Sequence, residues 1–321
     1  MKTTTKLFKK FFFVLIISFS FLVFSFSSSF ASISSFTQKI EQGKILFSQR
    51  ARVEKSKEAA IVFSEAYALG KTTKEKAFAK IKEAEALYYY ADLLPASENA
   101  MKIALHEKAF KGVESIRSLL QKQSTEEFPA PLSGLEWELS QVHYWYGANK
   151  GKWGQARGVI VSLMHWWELK RRMIFLGTNS SMKAGVEDYG YARILGRGIQ
   201  KVPVERNKVQ GLEVLERANR ETLATITVKQ NQVIKISKNS TNVLYLLDMY
   251  AYFKNKAKFC DLYLAFTSLQ NSSQSIKNSY NPSRIPELAR DLREFSQGSD
   301  FQNLRNFAQS SNCLVKEDSD F

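Results

Sequence analysis

Apolar residues in the first part of the chain recur at helical spacing between clear start and stop signals. From about residue 38 to 122 the sequence is rich in Ala, Lys, Glu and Leu, and it contains one proline, Pro95. Thr72 and Glu75 have the spacing of a capping box, so we expect a helix that begins there and ends just before Pro95. Ser97 is then the expected N-cap of the next helix. The apolar positions of that helix follow a 3.6-residue period: Leu105, Ala109, Gly112, Val113, Ile116 and Leu120.

The helical pattern continues beyond a proline-containing linker at 123–132. Ser133 and Glu136 form a second capping-box candidate, which opens the next predicted helix. We expect this helix to end in a tight connection at 149–151 and to be followed by an antiparallel partner. The remaining predicted helices lie at about 152–173, 186–200, 207–223, 241–253, 255–270 and 286–295.

Two segments depart from the helical pattern. Residues 224–237, ATITVKQNQVIKIS, are β-branched with partial alternation, which favours a small β-hairpin over a helix. From 297 to 321 the composition is polar, and we expect a partly disordered C-terminal tail there.

A weak internal repeat suggests how the helices are arranged. Aromatic residues beside a small residue occur once in the first helix of each predicted pair, at 88–91, 144–147, 189–192 and 250–252. A single helical hairpin cannot bury its apolar face alone, and stacking on the next hairpin solves this problem. The spacing exceeds that of a regular tetratricopeptide repeat. We therefore predict an all-α solenoid of degenerate tetratricopeptide-like helical hairpins over residues 32–296.

The composition agrees with this fold class and excludes several others. The 321 residues include only 6 Pro and 15 Gly, too few turn-formers for a sandwich or barrel of many short strands. Two Cys and three His cannot build a zinc ribbon, an iron–sulfur cluster or a disulfide framework.

The N-terminus has the layout of a secretory signal peptide. A lysine-rich start is followed by an apolar run at 11–26 and by a small-x-small exit at 29–31. We expect residues 1–31 to be removed after Ala31, leaving no membrane-spanning segment. The apolar run could alternatively stay as an anchor, although it is short for a bilayer. The predicted location is periplasmic.

Export changes the interpretation of the charge and the cysteines. With a net charge of +15, a cytosolic protein would be a candidate for nucleic-acid binding. Outside the cytosol we expect no nucleic-acid partner, and a membrane surface, acidic ligands or simply a solvated lysine-rich face explain the charge. Cys260 and Cys313 either pair in an oxidising compartment or leave Cys260 as a small buried apolar residue.

The best candidates for a binding site are aromatic and basic side chains. All five tryptophans lie in the predicted hairpin 135–173, where they form either a broad core, which we favour, or an aromatic-lined cavity. Arg193 and Arg197, one helical turn apart, form with Lys201 a cationic stripe that is either a solvated face or a grip for a carboxylate. The candidate ligand-binding residues are Tyr144, Trp145, Trp153, Arg193 and Arg197.

Catalytic motifs are incomplete in this chain. Gly70-Lys71-Thr72 has the end of a phosphate-binding loop, but Glu65 stands where the motif needs glycine. His143 and His165 lie on neighbouring predicted helices and could face each other, yet they lack a further ligand for a metal. We therefore expect no catalytic residue, no metal and no cofactor.

Several of these segments together resemble a known family. The stretch GLEWELSQVHYWYGANKGKWGQARG (134–158) and Gly190-Tyr191-Ala192-Arg193-Ile194-Leu195-Gly196-Arg197 resemble the T component of TRAP transporters. The resemblance extends over about residues 50–269. It implies a periplasmic all-α solenoid with a ligand-holding cavity. It also implies association with a periplasmic substrate-binding protein of a transporter for organic acids or hydrophobic small molecules.

Three functional hypotheses follow from the sequence. The first is an exported, non-catalytic accessory of a solute transport system, which docks a substrate-binding protein, holds a small organic ligand, or does both. The second is a tetratricopeptide-like interaction scaffold in the cell envelope, and the third is a secreted enzyme whose site has no recognisable motif. The sequence leaves self-association open.

Overall fold

The structure, a computed structural model, describes residues 35–183, 186, 190–205, 207–228, 232–298 and 301–313. It is 77% helical, with one small hairpin, and consecutive helices pack against each other. The helices are α1 (35–48), α2 (Val53–Leu69), α3 (Thr73–Leu93), α4 (Asn99–Arg117), α5 (Glu136–Arg157), α6 (Val159–Thr178), α7 (Ser180–Lys183), α8 (Gly190–Lys201), α9 (Lys208–Glu221), α10 (Ser240–Tyr252), α11 (Lys256–Gln270), α12 (Gln274–Tyr280), α13 (Ile285–Gln297) and α14 (Gln302–Ser310).

The predicted start of α3 is confirmed. The Thr72 side chain accepts a hydrogen bond from the backbone of Glu75, and the Glu75 carboxylate accepts one from the backbone of Thr72, so both halves of the capping box are present. The prediction at Ser97 is wrong, because a short 3-10 helix, Ala96–Glu98, precedes α4 and no side chain caps α4.

The helical hairpin α5–α6 differs from the prediction at its turn. α5 continues through 149–151, and the chain reverses only at Gly158, whose φ of +103° favours glycine. Asn149 is buried and bonded to other helices, which holds this segment inside α5. The capping box at Ser133 is also wrong: α5 begins at Glu136 with no side-chain cap.

The predicted β-hairpin is confirmed. β1 (Leu223–Thr227) and β2 (Val233–Ser237) are antiparallel, with Ile226 opposite Ile234. Ile226, Ile234 and Ile236 are buried, whereas Thr225, Thr227, Val233 and Lys235 are exposed; at the end of β2, Ser237 is buried as well. The partial alternation in the sequence, with a period of two, is the signal that distinguished this segment from the helical segments on either side.

The C-terminal segment is more ordered than its polar composition indicates. Besides the expected α13, the structure contains α12 and α14, and Leu304 and Ala308 of α14 are buried. A disulfide joins Cys260 of α11 to Cys313 just after α14. Of the two alternatives for the cysteines, the structure therefore has the pair.

The buried apolar residues form two core clusters. The N-terminal core is contributed by α1 to α9 and includes residues from Ile40 to Ala218. The C-terminal core runs from Leu215 to Ala308 and includes the β-hairpin and α10 to α14. α9 contributes to both cores, so it joins them.

Helix α13 breaks the sequential order of packing. Its Glu287 and Arg290 bond to Arg50, Tyr89 and Asp92, which lie about 200 residues earlier in the chain. We call these five residues the charged seam. The seam joins the C-terminal core to α1–α3 through charged groups. In an open succession of hairpins, these elements would not be in contact.

Within the described ranges, no helix has the length and apolar composition needed to cross a membrane. The predicted signal peptide, 1–31, lies outside the described residues. The disulfide is typical of proteins in an oxidising, extracytoplasmic compartment, which agrees with export.

Candidate functional site

A cavity of about 340 Å³ lies between α5, α6 and α8, with α3 and α10 contributing one tyrosine each. The first helix of each helical pair, namely α3, α5, α8 and α10, places at least one side chain on the cavity wall. The cavity therefore lies where these helices meet. The aromatic and large apolar residues of the wall are Tyr88, Val159, Leu163, His165, Trp166, Leu169, Ile194, Val202 and Tyr245.

The charged residues of the wall all have the same sign. Five basic residues line the cavity, and none of the described lining residues is acidic. These basic residues are Lys150, Lys152, Arg193, Arg197 and Lys201. Three of them are paired with a carboxylate behind the wall: Lys152 with Asp92 at 2.6 Å, and Arg197 and Lys201 with Asp248 at 2.6 and 2.9 Å.

Arg193 has no such partner in the described part of the chain. Its guanidinium donates a hydrogen bond to the hydroxyl of Tyr144 at 2.8 Å, and no carboxylate of a described residue lies within ion-pair distance. Tyr144 can approach α8 closely because its ring lies against Gly190, where an added Cβ would be 2.5 Å from the ring. A guanidinium carries five donor N–H groups, so this single bond leaves capacity for an anion in the cavity.

Lys150 is the second basic residue without an acidic partner among the described residues. Its ammonium group lies over the rings of Phe110, Tyr146 and Trp153, at 4.4, 5.8 and 5.0 Å from their centres. Burial lowers the pKa of Lys150. The aromatic faces supply part of the stabilisation that a carboxylate would give.

Lys152 belongs to a buried network below the cavity floor. Asp92 accepts hydrogen bonds from Lys152 and from Arg290 of α13. Burial alone would raise the pKa of Asp92, but the two cations outweigh it and hold that pKa well below the usual range. Burial also raises the pKa of the neighbouring Tyr88 to about 12, so its hydroxyl remains protonated.

One wall of the cavity depends on a glycine. The ring of Trp166 lies against Gly198 of α8, where a Cβ would be 2.0 Å from the ring. The indole N–H of Trp166 donates to Glu205 at 2.7 Å, and Lys170 donates to the same carboxylate oxygen. Because the indole N–H is bonded to Glu205, which does not line the cavity, Trp166 presents an apolar surface to the cavity.

The predicted binding residues are only partly brought together. Arg193 and Arg197 line the cavity, and Tyr144 touches Arg193. Trp145 lies behind them, edge-on to Tyr88. Trp153 does not line the cavity and instead packs against Phe110 and His165.

Sequence reasoning missed Tyr88, Lys150, Lys152 and Tyr245. Tyr88 belongs to the first of the repeated aromatic groups, and Lys150 and Lys152 flank Gly151 in the "GKW" segment, so the repeat pattern could have pointed to them. Nothing in the local sequence distinguishes Tyr245 from the other tyrosines of the chain.

The tryptophans and histidines have separate environments. Trp145, Trp153 and Trp166 are buried, whereas Trp137 and Trp167 are exposed, so the five indoles are not a single core. His143 and His165 do not face each other: His143 packs between Phe128 and Phe175, and His165 against Trp153. No cluster of three or more potential metal ligands occurs in the described part of the chain.

The fold and cavity define a helical protein with a partly open, aromatic and apolar site whose charged lining residues, among those the structure describes, are all basic. Comparison of the chain with protein-family models and with curated proteins gives no match.

Proposed function

We propose that this protein is a non-catalytic binding protein that holds an organic anion in the cavity between α5, α6 and α8. The observation that carries this proposal is the charge of the cavity wall: five basic residues, no acidic one among the described lining residues, and Arg193 without a carboxylate partner.

Arg193 is the expected anchor for the anion. A charged group that is removed from bulk water is costly unless a counter-charge compensates it. A carboxylate can accept two parallel hydrogen bonds from a guanidinium, which gives both affinity and orientation. Arg197 and Lys201 already share Asp248, so they contribute to the positive potential more than to a direct contact.

The apolar part of the wall favours an organic anion over an inorganic one. Leu163, Trp166, Leu169 and Ile194 face the same space as the basic groups. Small-molecule sites commonly combine such a predominantly apolar surface with a few polar groups that fix orientation. The volume of about 340 Å³ is at the lower end of the range for such sites.

The biological setting that we propose is the periplasm, as an accessory of a solute transport system. Two features support it: the disulfide fits an oxidising compartment, and the resemblance to the TRAP transporter T component implies a ligand-holding cavity and docking of a substrate-binding protein. Apart from the contacts of α13, the consecutive packing of helices is compatible with a degenerate solenoid. The alternative, an envelope scaffold without a small ligand, predicts an empty cavity.

A carboxylate-binding experiment tests the proposal. Sodium octanoate and sodium benzoate are titrated into the purified protein by calorimetry, with octylamine as a cationic comparison. We expect binding of the carboxylates and none of the amine. Arg193→Gln is expected to weaken binding by about tenfold or more, because it removes a charge-assisted hydrogen bond.

Arg171→Gln is the matched control for that variant. Arg171 is an exposed arginine of α6 that pairs with Glu127 outside the cavity, so its loss should leave the affinity unchanged. Equal binding by wild type and Arg193→Gln, or no binding of either carboxylate, would reject the proposal and favour the scaffold alternative.

A further inference from the structure

The N-terminal half of α6 exposes a row of large apolar side chains. Ile160 and Met164 are 76% and 74% exposed, and Val159 and Trp167 are also exposed. We call these four residues the α6 stripe. Their spacing places Ile160, Met164 and Trp167 on one side of the helix. The stripe starts directly after Gly158, so it occupies the tip of the α5–α6 hairpin.

The stripe adjoins the wall of the cavity. Val159 is both a member of the stripe and a residue of the cavity wall, and Leu163 lines the cavity from the next turn of α6. Val204 is exposed in the segment after α8, next to the lining residue Pro203. Glu205 holds this segment on α6 through its bonds to Trp166 and Lys170.

A basic residue lies at each end of the stripe, Arg157 and Lys170, and Lys170 is paired with Glu205. Arg157 is exposed at the tip of the hairpin, and the ammonium group of Lys170 lies 5.1 Å from the centre of the Trp167 ring. The hairpin Glu136–Thr178 contains six basic and three acidic residues, and the complete chain has a net charge of +15. An apolar row with Trp and flanking Lys and Arg is typical of surfaces that lie in the interface of an anionic bilayer.

We propose that the α6 stripe docks this protein on an anionic lipid surface. The apolar side chains enter the boundary between headgroups and acyl chains, while Arg157 at the tip of the hairpin meets the anionic headgroups. The positive charge of the chain attracts such a surface and repels a second copy of the same chain, so a lipid surface is favoured over self-association. This inference does not require a ligand in the cavity.

Vesicle co-sedimentation tests the docking. The full chain is mixed with vesicles of phosphatidylglycerol and phosphatidylcholine, or of phosphatidylcholine alone, and every variant carries the same N-terminal form, so any contribution of residues 11–26 is common to all. We expect at least about tenfold stronger binding to the anionic vesicles, decreasing with salt. Ile160→Ser/Met164→Ser is expected to lower that binding about tenfold or more.

The matched control is Ile45→Ser/Ile61→Ser, which removes two exposed isoleucines, 64% and 51% exposed, from α1 and α2. It should bind anionic vesicles like the wild type. Brominated lipids should quench the fluorescence of the wild type more strongly than that of Trp167→Phe, because Trp167 is the indole in the stripe.

Three results would overturn the proposal. In the first, the wild type and the stripe variant bind vesicles equally well. In the second, the wild type does not bind anionic vesicles. The third is a self-associated species in sedimentation velocity that only the stripe variant loses, which would assign the stripe to a second copy. Octanoate binding by the same variants is measured separately, so failure here leaves the proposed function standing.

Discussion

The two cores of this protein are stabilised in different ways. The N-terminal core contains long helices, many buried alanines and most of the buried aromatic contacts around α3 and α5. The C-terminal core has shorter helices, a β-hairpin and a phenylalanine cluster around Phe259, Phe266 and Phe295, and the disulfide closes it. Long helices can bury a broad face on their neighbours, whereas short ones depend on contacts distant in sequence.

The region between the two cores shows a third kind of stabilisation. The charged seam joins them through buried ion pairs and hydrogen bonds, in addition to the shared helix α9. Buried ion pairs contribute little net stability compared with apolar residues, but the loss of one partner is costly. Specific changes in each region should therefore separate the three contributions.

The largest effect is expected at the seam, for Glu287→Leu. Glu287 accepts hydrogen bonds from Arg50 at 3.0 to 3.2 Å and another from the Tyr89 hydroxyl, and both Arg50 and Glu287 are buried. The substitution leaves the Arg50 charge without this counter-charge, so we expect a loss of about 3–5 kcal/mol in the free energy of unfolding, measured in urea.

The double variant Arg50→Met/Glu287→Leu is the control for this interpretation. It removes both charges, and we expect it to recover most of the lost stability. If the single and double variants were equally unstable, the effect would come from packing around α13, and the seam would not join the cores through its charges.

The disulfide should have the next largest effect, confined to the C-terminal core. It closes a loop over a sequence separation of 53 residues. For Cys260→Ala/Cys313→Ala we expect a loss of about 2–4 kcal/mol, because the unfolded chain gains conformational freedom. Reductant should lower the unfolding temperature of the wild type and leave that of the variant unchanged. If complete reduction of the disulfide left the unfolding temperature of the wild type unchanged, this expectation would be contradicted.

The sequence predicted the N-terminal elements where their signals are local. The capping box at Thr72 and Glu75 involves contacts only three residues apart, so it can be identified without knowing the fold. The turn placed at 149–151 failed for the opposite reason. Asn149 is held inside α5 by bonds to His106 and to the backbone of Ala84, and no local pattern records these partners.

The candidate site shows the same limit. Arg193 and Arg197 could be nominated because one helical turn separates them. The other basic residues of the cavity, such as Lys152, reach it from a different helix, and only the three-dimensional structure brings them together. In the C-terminal region, α14 was missed because its polar composition hides the two side chains that it buries, Leu304 and Ala308.

A smaller effect, of opposite sign, is expected in the N-terminal core for His143→Phe. His143 is fully buried between Phe128 and Phe175, and neither ring nitrogen has a hydrogen-bond partner among the described residues. Phe is apolar and similar in shape, so we expect a gain of about 1–3 kcal/mol at pH 7.5 in urea unfolding.

The pH dependence provides a second measurement on the same variant. Burial holds the pKa of His143 well below its usual value of 6.5, so below pH 6.5 the unfolded chain binds a proton that the folded chain does not. Stability of the wild type therefore falls as the pH decreases from 6.5, and the variant should fall less steeply. His106, whose pKa burial lowers to about 4, should maintain part of the slope in both proteins. Parallel curves for the two proteins would show that His143 does not contribute.

The smallest expected effect is at Gly151, where the sequence predicted a turn and the structure has helix. An added Cβ at Gly151 would meet no side chain and no other segment of the described protein within 4 Å, so Gly151→Ala should stabilise α5 by about 0.5–1 kcal/mol through the lower conformational entropy of the unfolded chain. Gly198→Ala is the matched comparison in the same core. Its Cβ would lie 2.0 Å from the Trp166 ring, so it should destabilise the protein by about 1–3 kcal/mol. Both are measured by urea unfolding. A loss of stability for Gly151→Ala would favour a turn at 149–151, and with it a shorter α5 and a different cavity wall at Lys150 and Lys152.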